Sequence, residues 1–135
     1  MEYSRFETIP EKVSLLGLGG MRFPVLDDQP DQVIEEGVQA LVDHAVSRGI
    51  TYFDTAYSYH GGRSEEVLTR ALSKYQRDTY YLADKLPIWL IQEEGDTERY
   101  FHEQLERCRT EDFDKTPPHT RYFSCESGDF LNKMF

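Results

Sequence analysis

The chain has 135 residues, of which 39% are hydrophobic and 13% aromatic, so it can bury the core of one globular domain and is not expected to be disordered. Its formal net charge of −10 disfavours a nucleic acid or an anionic membrane surface as partner. No apolar run approaches the roughly 20 residues that span a bilayer, and the amino end lacks the apolar segment of a signal peptide. We therefore expect a cytoplasmic protein.

Short apolar runs alternate with amphipathic segments in the first half of the chain. A strand is predicted over residues 12–18, where an apolar run ends in glycines. The next segment repeats apolar residues at intervals of four, which predicts a first helix. Asp31 can cap its first turn, and Gly49 suits the left-handed position after its end. A second strand is predicted over residues 50–53, which are β-branched or aromatic.

The second half continues the same alternation. Ser64 is predicted to cap a second helix, in which Glu65 and Glu66 favour the positive end of the helix dipole. A third strand is predicted over residues 79–83 and a third helix over about 97–107. The order β-α-β-α-β-α with short connections predicts an α/β fold with parallel strands.

Residues 115–135 differ in texture from the rest of the chain. They show neither helical nor strand periodicity, and Pro117-Pro118 would interrupt a central strand. We therefore predict a folded part over residues 1–114 and an irregular tail over 115–135. Cys108 and Cys125 lack the spacing of metal ligands, so neither a metal site nor a disulfide framework is expected.

The glycine-rich stretch over residues 17–22 resembles a dinucleotide fingerprint only superficially. Arg22 stands where the third glycine should be, and Pro24 follows where a helix should begin directly. The stretch is therefore read as the glycine-rich exit of a strand, or as a loop whose bare backbone approaches a ligand. These two interpretations are compatible.

Asp54, Tyr59 and Lys85 each follow a predicted strand. The carboxyl ends of parallel strands meet at one edge of a sheet, so the three side chains are expected to gather there. An ammonium beside a phenol stabilises the phenolate, and a carboxylate can hold that ammonium charged. Taken singly, the three have plainer explanations: a packed tyrosine, a solvated lysine and an aspartate that caps a turn.

The trio together suits proton transfer to or from a carbonyl or alcohol oxygen while a hydride moves at the neighbouring carbon. That chemistry implies a nicotinamide cofactor and requires no metal.

Three segments of the sequence, 13–22, 49–56 and 59–66, resemble the amino-terminal part of the aldo-keto reductase family. The resemblance covers roughly residues 3–114, and its most specific element is Phe-Asp-Thr-Ala with a tyrosine five positions after the aspartate. Segments 85–89 and 103–108 further resemble a bacterial and archaeal branch whose longer members often carry a ferredoxin-like cluster domain. This sequence shows no such domain.

The resemblance implies a (β/α)8 TIM barrel, of which this chain supplies about the first three βα units, and the reduction of a small-molecule aldehyde or ketone with NADPH or, in some members, NADH. Tyr59 matches the family's proton donor, Lys85 the lysine that tunes it and Asp54 the acidic partner. The positions that fall near the cofactor are Gly20, Met21, Arg22 and Asp54.

The sequence also departs from the family pattern. The family's catalytic histidine ends a fourth strand that this sequence does not show, and His119 follows two prolines and is not assigned the role. Asp84 stands where threonine or serine is common, so we expect an additional carboxylate beside Lys85 that weakens its effect on Tyr59. Trp89 is a candidate for the substrate pocket, although an aromatic core residue is the plainer interpretation.

Length is the largest departure, because a full barrel takes about 250 residues. The chain alone is therefore expected to be inactive and to self-associate through open sheet edges. Two alternatives stay open: a non-catalytic nucleotide-sensing or interaction protein, and an inactive fragment of an interrupted gene. The second has support in the genetic code, because the codons of residues 116–119, read one nucleotide further on, permit the Leu-Leu-His element of the family's fourth strand.

Overall fold

The structure is a computed structural model that describes residues 1–5, 12–108 and 123–124. A two-stranded antiparallel sheet pairs β1 (Tyr3–Arg5) with β2 (Lys12–Ser14). A parallel sheet has the order β3-β4-β5-β6, formed by Gly17–Gly19, Tyr52–Asp54, Tyr81–Asp84 and Phe123–Ser124. The predicted α/β class with parallel strands is therefore confirmed.

Helices alternate with the parallel strands. They are α1 (Glu35–Ser47), α2 (Ser64–Leu72) and α3 (Asp96–Arg107). Short 3₁₀ turns cover Gly20–Arg22, Tyr59–Gly62, Arg77–Thr79 and Ile88–Leu90. In the described part of the chain, no helix has both the length and the apolar character needed to cross a membrane.

The core lies between the parallel sheet and the helices. Strand residues Phe53 and Leu82 pack there with the apolar stripes of the helices, and their side chains are at most 3% exposed. The helical members of this layer are Val38, Val42, Ala45, Val67, Leu68, Ala71 and Leu72. Burying each valine, leucine or phenylalanine side chain contributes about 1.5–3 kcal/mol, so this layer fixes the helices on the sheet.

The predicted strand over residues 12–18 is divided into two in the structure. Ser14 is the residue that turns the chain: its hydroxyl donates to the Leu16 carbonyl over 2.7 Å, and its backbone N–H donates to the Thr51 hydroxyl over 3.0 Å. Leu15 and Leu16 lie in the bend, 63% and 60% exposed. A local side-chain hydrogen bond thus ends one strand inside an apolar run, which periodicity alone does not reveal.

Helix α1 begins later than predicted. Asp31 does not cap it, because the helix starts at Glu35 after Ile34, and Val33 instead forms an antiparallel bridge with Val25. The predicted end is confirmed, since Gly49 has φ of 82° and donates its backbone N–H to Val46.

A fourth parallel strand lies in the region predicted to be an irregular tail. The register pairs Ala83 with Phe123 and Asp84 with Ser124. Two residues of strand carry no readable periodicity and need only backbone hydrogen bonds to β5, so the sequence pattern does not predict them. The predicted boundary at residue 114, together with His119 and Cys125, lies outside the described residues.

Candidate active site

Neighbouring strand ends bring Asp54 and Lys85 together. Asp54 closes β4, and Lys85 directly follows β5, which pairs in parallel with β4. The Lys85 ammonium donates to Oδ2 of Asp54 over 2.6 Å and to the Thr55 carbonyl over 2.9 Å. The two side chains thus form a partly buried ion pair at the carboxyl edge of the sheet, with 24% and 33% of their surface exposed.

Tyr59 lies against the same ammonium. It opens the 3₁₀ turn that follows β4, and Nζ of Lys85 is 5.0 Å from the centroid of its ring. The structure therefore gathers all three predicted catalytic side chains in one place.

The pKa of Lys85 reflects two opposing influences. Partial burial of the ammonium acts to lower it, but the hydrogen bond and negative charge of Asp54, aided by Tyr59, outweigh that effect and hold it above the ordinary value. Lys85 is therefore a permanent cation at neutral pH.

The turn Gly20–Arg22 packs directly against the end of β4. A Cβ at Gly20 would lie 2.6 Å from Oγ of Ser64 and 3.2 Å from the Asp54 carbonyl, so any side chain there would force its neighbours to move. Ser64 was expected to cap α2, but its hydroxyl donates to the Gly20 carbonyl over 3.1 Å and shares a 2.8 Å hydrogen bond with Thr55. Ser64 thus joins this turn to the Asp54 segment.

Asp84 does not add a second carboxylate beside the Lys85 ammonium. Its side chain is 2% exposed, and its Oδ1 accepts the backbone N–H of Lys85 over 2.9 Å. Burial, followed by the charge and hydrogen bonding of Glu65, raises the pKa of Asp84 to about 9. It is therefore a neutral acid at pH 7, and the expected weakening of Lys85 by a neighbouring anion does not arise.

A buried polar cluster, which the sequence reasoning missed, lies behind Lys85. Glu65 is fully buried, and its carboxylate accepts from Arg107 over 2.7 Å and from the Gln104 amide over 2.8 Å. The Gln104 amide also donates to the Lys85 carbonyl over 3.0 Å. The available signal is the position of Gln104, which falls at helical spacing inside the apolar stripe of α3.

Tyr57, the other phenol near the site, contacts side chains of α3. Its hydroxyl donates to Oε2 of Glu103 over 3.1 Å, and the Arg107 guanidinium lies 4.4 Å from its ring centroid. Its ring also meets Tyr100 edge to face. Tyr57 therefore fastens α3 to the loop after β4.

Trp89 lies in the turn Ile88–Leu90 that follows β5. It is 59% exposed, so the interpretation of Trp89 as an aromatic core residue is wrong. Residues 1–5 and 12–108 hold no group of three or more histidine, cysteine, aspartate or glutamate side chains arranged to bind a metal ion.

The fold and the site define an α/β protein that carries an aspartate, a lysine and a tyrosine at the carboxyl edge of a parallel sheet. Comparison with known proteins identifies its family. Residues 15–124 match the model of the Aldo/keto reductase family, and the chain belongs to that family. It is an oxidoreductase family.

Relatives and solved structures agree with this assignment. Versiconal hemiacetal acetate reductase of Aspergillus parasiticus is 40% identical over 75 residues, which are 56% of this chain and 22% of that protein. A thermostable aldo-keto reductase, Tm1743, solved with the inhibitor epalrestat, matches with a TM-score of 0.62 at 31% identity, over 82% of this chain and 39% of that one.

A more distant structure shares the fold. The glycerol dehydrogenase AKR11B4 of Gluconobacter oxydans matches with a TM-score of 0.58 at 22% identity, over 98% of this chain and 51% of that one. The chain thus spans between about a fifth and a half of the length of these proteins.

Proposed function

We propose that residues 1–108 carry the proton-transfer half of an NAD(P)H-dependent carbonyl reductase that acts within a (β/α)8 barrel. The observation that carries this proposal is the Lys85 ammonium, held by Asp54 at 2.6 Å and lying 5.0 Å from the centre of the Tyr59 ring. The substrate class is a small aldehyde or ketone. NADPH is the proposed cofactor, with NADH as its variant.

Each side chain has one task in this mechanism. The Tyr59 hydroxyl donates a proton to the carbonyl oxygen of the substrate, and the adjacent Lys85 cation stabilises the phenolate that remains. Asp54 keeps Lys85 charged and oriented, consistent with the raised pKa of that lysine. A bound nicotinamide would supply the hydride.

The turn Gly20–Arg22 fits the ribose end of such a cofactor. It adjoins Asp54, and it presents the exposed side chains of Met21 and Arg22 at the carboxyl edge of the sheet. The Arg22 guanidinium donates to the Met21 carbonyl over 3.1 Å, which leaves most of its five donor hydrogens for an anionic or hydroxyl-rich ligand. These residues would hold the cofactor with backbone, guanidinium and carboxylate groups.

Trp89 is proposed to contact the substrate. It follows Lys85 by four positions, in the turn after β5, and is exposed. A Trp89→Ala variant should raise KM for bulky apolar carbonyl substrates more than it lowers kcat, because the lost contact binds substrate and transition state alike.

We further propose that the 135-residue chain alone reduces no carbonyl compound, binds NADPH weakly and self-associates. Its described sheet has terminal strands β3 and β6, and Leu15 and Leu16 are exposed beside β3. Sedimentation velocity over a concentration series should show association that a Leu15→Ser/Leu16→Ser variant weakens. Micromolar NADPH affinity of a monomer in a calorimetric titration would contradict the weak binding proposed for this chain.

Tyrosine variants in a complete barrel that contains this segment test the proposed function. Tyr59→Phe should lower kcat by roughly 10²–10⁴-fold and leave nucleotide affinity nearly unchanged, because only the proton donor is lost. Tyr57→Phe is the matched control, since its hydroxyl is engaged by Glu103. Normal turnover of Tyr59→Phe together with a large loss in Tyr57→Phe would contradict the proposal and identify Tyr57 as the proton donor.

A further inference from the structure

His60, the residue after Tyr59, uses both ring nitrogens to bind the segment between β3 and α1. Its Nε2 accepts the backbone N–H of Phe23 over 3.0 Å, and its Nδ1 lies 2.7 Å from the Pro30 carbonyl oxygen. Because Nε2 must accept and a carbonyl oxygen cannot donate, the partners assign the ring as neutral with its proton on Nδ1.

The rest of His60 is equally constrained. Its ring stacks on Phe23 with centroids 5.6 Å apart and an angle of 15° between planes, and Phe23 is 4% exposed. The backbone of His60 has φ of 54°, a left-handed conformation that a residue with a Cβ adopts only when its surroundings fix it. Gly61 and Gly62 continue the same conformation with φ of 62° and 88°.

These contacts bridge two parts of the proposed site. Phe23 directly follows the turn Gly20–Arg22, which is proposed to face the nucleotide, and His60 directly follows Tyr59, the proposed proton donor. A second hydrogen bond, from the Ser64 hydroxyl to the Gly20 carbonyl, fixes the start of the same turn. The tyrosine loop, residues 59–64, and the turn Gly20–Arg22 are therefore joined at two points.

We propose that His60 is a positioning residue that holds Tyr59 against Lys85 by fastening the tyrosine loop to Phe23 and Pro30. The catalytic assignment of Tyr59 rests on the proposed function, but the mechanical role of His60 does not. The imidazole acts as a neutral clamp with one donor and one acceptor. Loss of both nitrogens releases the loop, and the Tyr59 ring moves away from the ammonium.

The experiment uses nuclear magnetic resonance on the 135-residue chain. A long-range ¹H–¹⁵N spectrum at pH 8 should show His60 protonated on Nδ1 and unprotonated on Nε2. The ring current of Tyr59 should displace the ε-methylene proton resonances of Lys85. The difference between the wild type and Tyr59→Leu measures this displacement. His60→Phe keeps an aromatic ring on Phe23 but removes both nitrogens, and it should lose at least half of that displacement. His44→Phe, at an exposed position in the last turn of α1, should retain it.

Two results would overturn the clamp. One is a wild-type His60 protonated on Nε2, and the other is a folded His60→Phe chain with the full Lys85 displacement. Should His60→Phe fail to fold, His60→Gln decides, because its amide keeps one donor and one acceptor: retention of the displacement supports the clamp and loss refutes it. None of these readings needs turnover, so a complete barrel without reductase activity would refute the proposed function and leave the clamp standing.

Discussion

Gln104 and Lys85 are joined by a hydrogen bond from the side-chain amide of one to the main-chain carbonyl of the other, 3.0 Å long. Helix α3 thereby holds the backbone of Lys85, while the Lys85 side chain reaches Asp54 at the end of β4. The backbone N–H of Lys85 is held by the Asp84 carboxyl. Both polar backbone groups of the lysine are thus fixed by buried side chains.

A Gln104→Leu variant should lower the free energy of unfolding by about 1–3 kcal/mol, because it leaves a buried carboxylate oxygen of Glu65 and the Lys85 carbonyl without this donor. Urea denaturation measures the loss. Gln92→Leu, at an exposed position before α3, is the control and should change the stability by less than about 0.5 kcal/mol. Equal stability of the two variants would show that the amide contributes nothing.

The buried acid Asp84 should make stability depend on pH. Its pKa is raised from 3.8 to about 9 by burial and by Glu65, so the native state binds a proton that the unfolded state releases above pH 4. The stabilisation from this proton is complete below pH 4 and is lost as the pH rises to about 9. One proton gives a slope of at most about 1.4 kcal/mol per pH unit in that window.

Asp84→Asn removes this titration while keeping an oxygen that can accept the Lys85 N–H. Urea denaturation between pH 5 and pH 8 should therefore show the wild type losing stability relative to Asp84→Asn as the pH rises. Asp28→Asn, at an exposed position, should follow the wild-type curve. Parallel curves for wild type and Asp84→Asn would mean that Asp84 is ionised in the native state.

The ion pairs Lys85–Asp54 and Lys74–Asp43 allow the effect of each aspartate on the pKa of its lysine to be tested, with the other pair as control. Asp54→Asn should lower the pKa of Lys85, because it removes the negative charge and weakens the hydrogen bond that together outweigh burial. Asp43→Asn should instead lower the pKa of Lys74, which its hydrogen bond to Asp43 raises, and leave Lys85 unaffected. A ¹³C titration of the lysine ε-carbons measures both in one sample. An unchanged Lys85 in Asp54→Asn would remove Asp54 from its proposed role.

The sequence predicts well what periodicity or strand order determines. The buried face of α1, the left-handed Gly49 and the meeting of Asp54 with Lys85 follow from 3.6-residue spacing, helix termination and parallel strand ends. It fails where neither periodicity nor strand order marks the distant partner of a polar side chain. Ser64 reads as a helix cap because its bond to Gly20, 44 residues away, leaves no local signal.

The same long-range packing gives the last prediction, for Gly20. A Cβ at this position would lie 2.6 Å from Oγ of Ser64, so Gly20→Ala must displace the buried Ser64 hydroxyl or the turn itself. The change should cost about 1–3 kcal/mol of unfolding free energy, the usual range for overpacking. Gly19→Ala is the neighbouring control, because nothing lies within 4 Å of its added methyl. Adding Ser64→Ala to Gly20→Ala should recover part of the loss by removing the obstructing hydroxyl, and the recovery should be incomplete because the Asp54 carbonyl remains 3.2 Å away. Urea denaturation of the wild type, Gly20→Ala, Ser64→Ala and the double variant gives the coupling. Equal losses for Gly19→Ala and Gly20→Ala would show that the turn does not pack on β4.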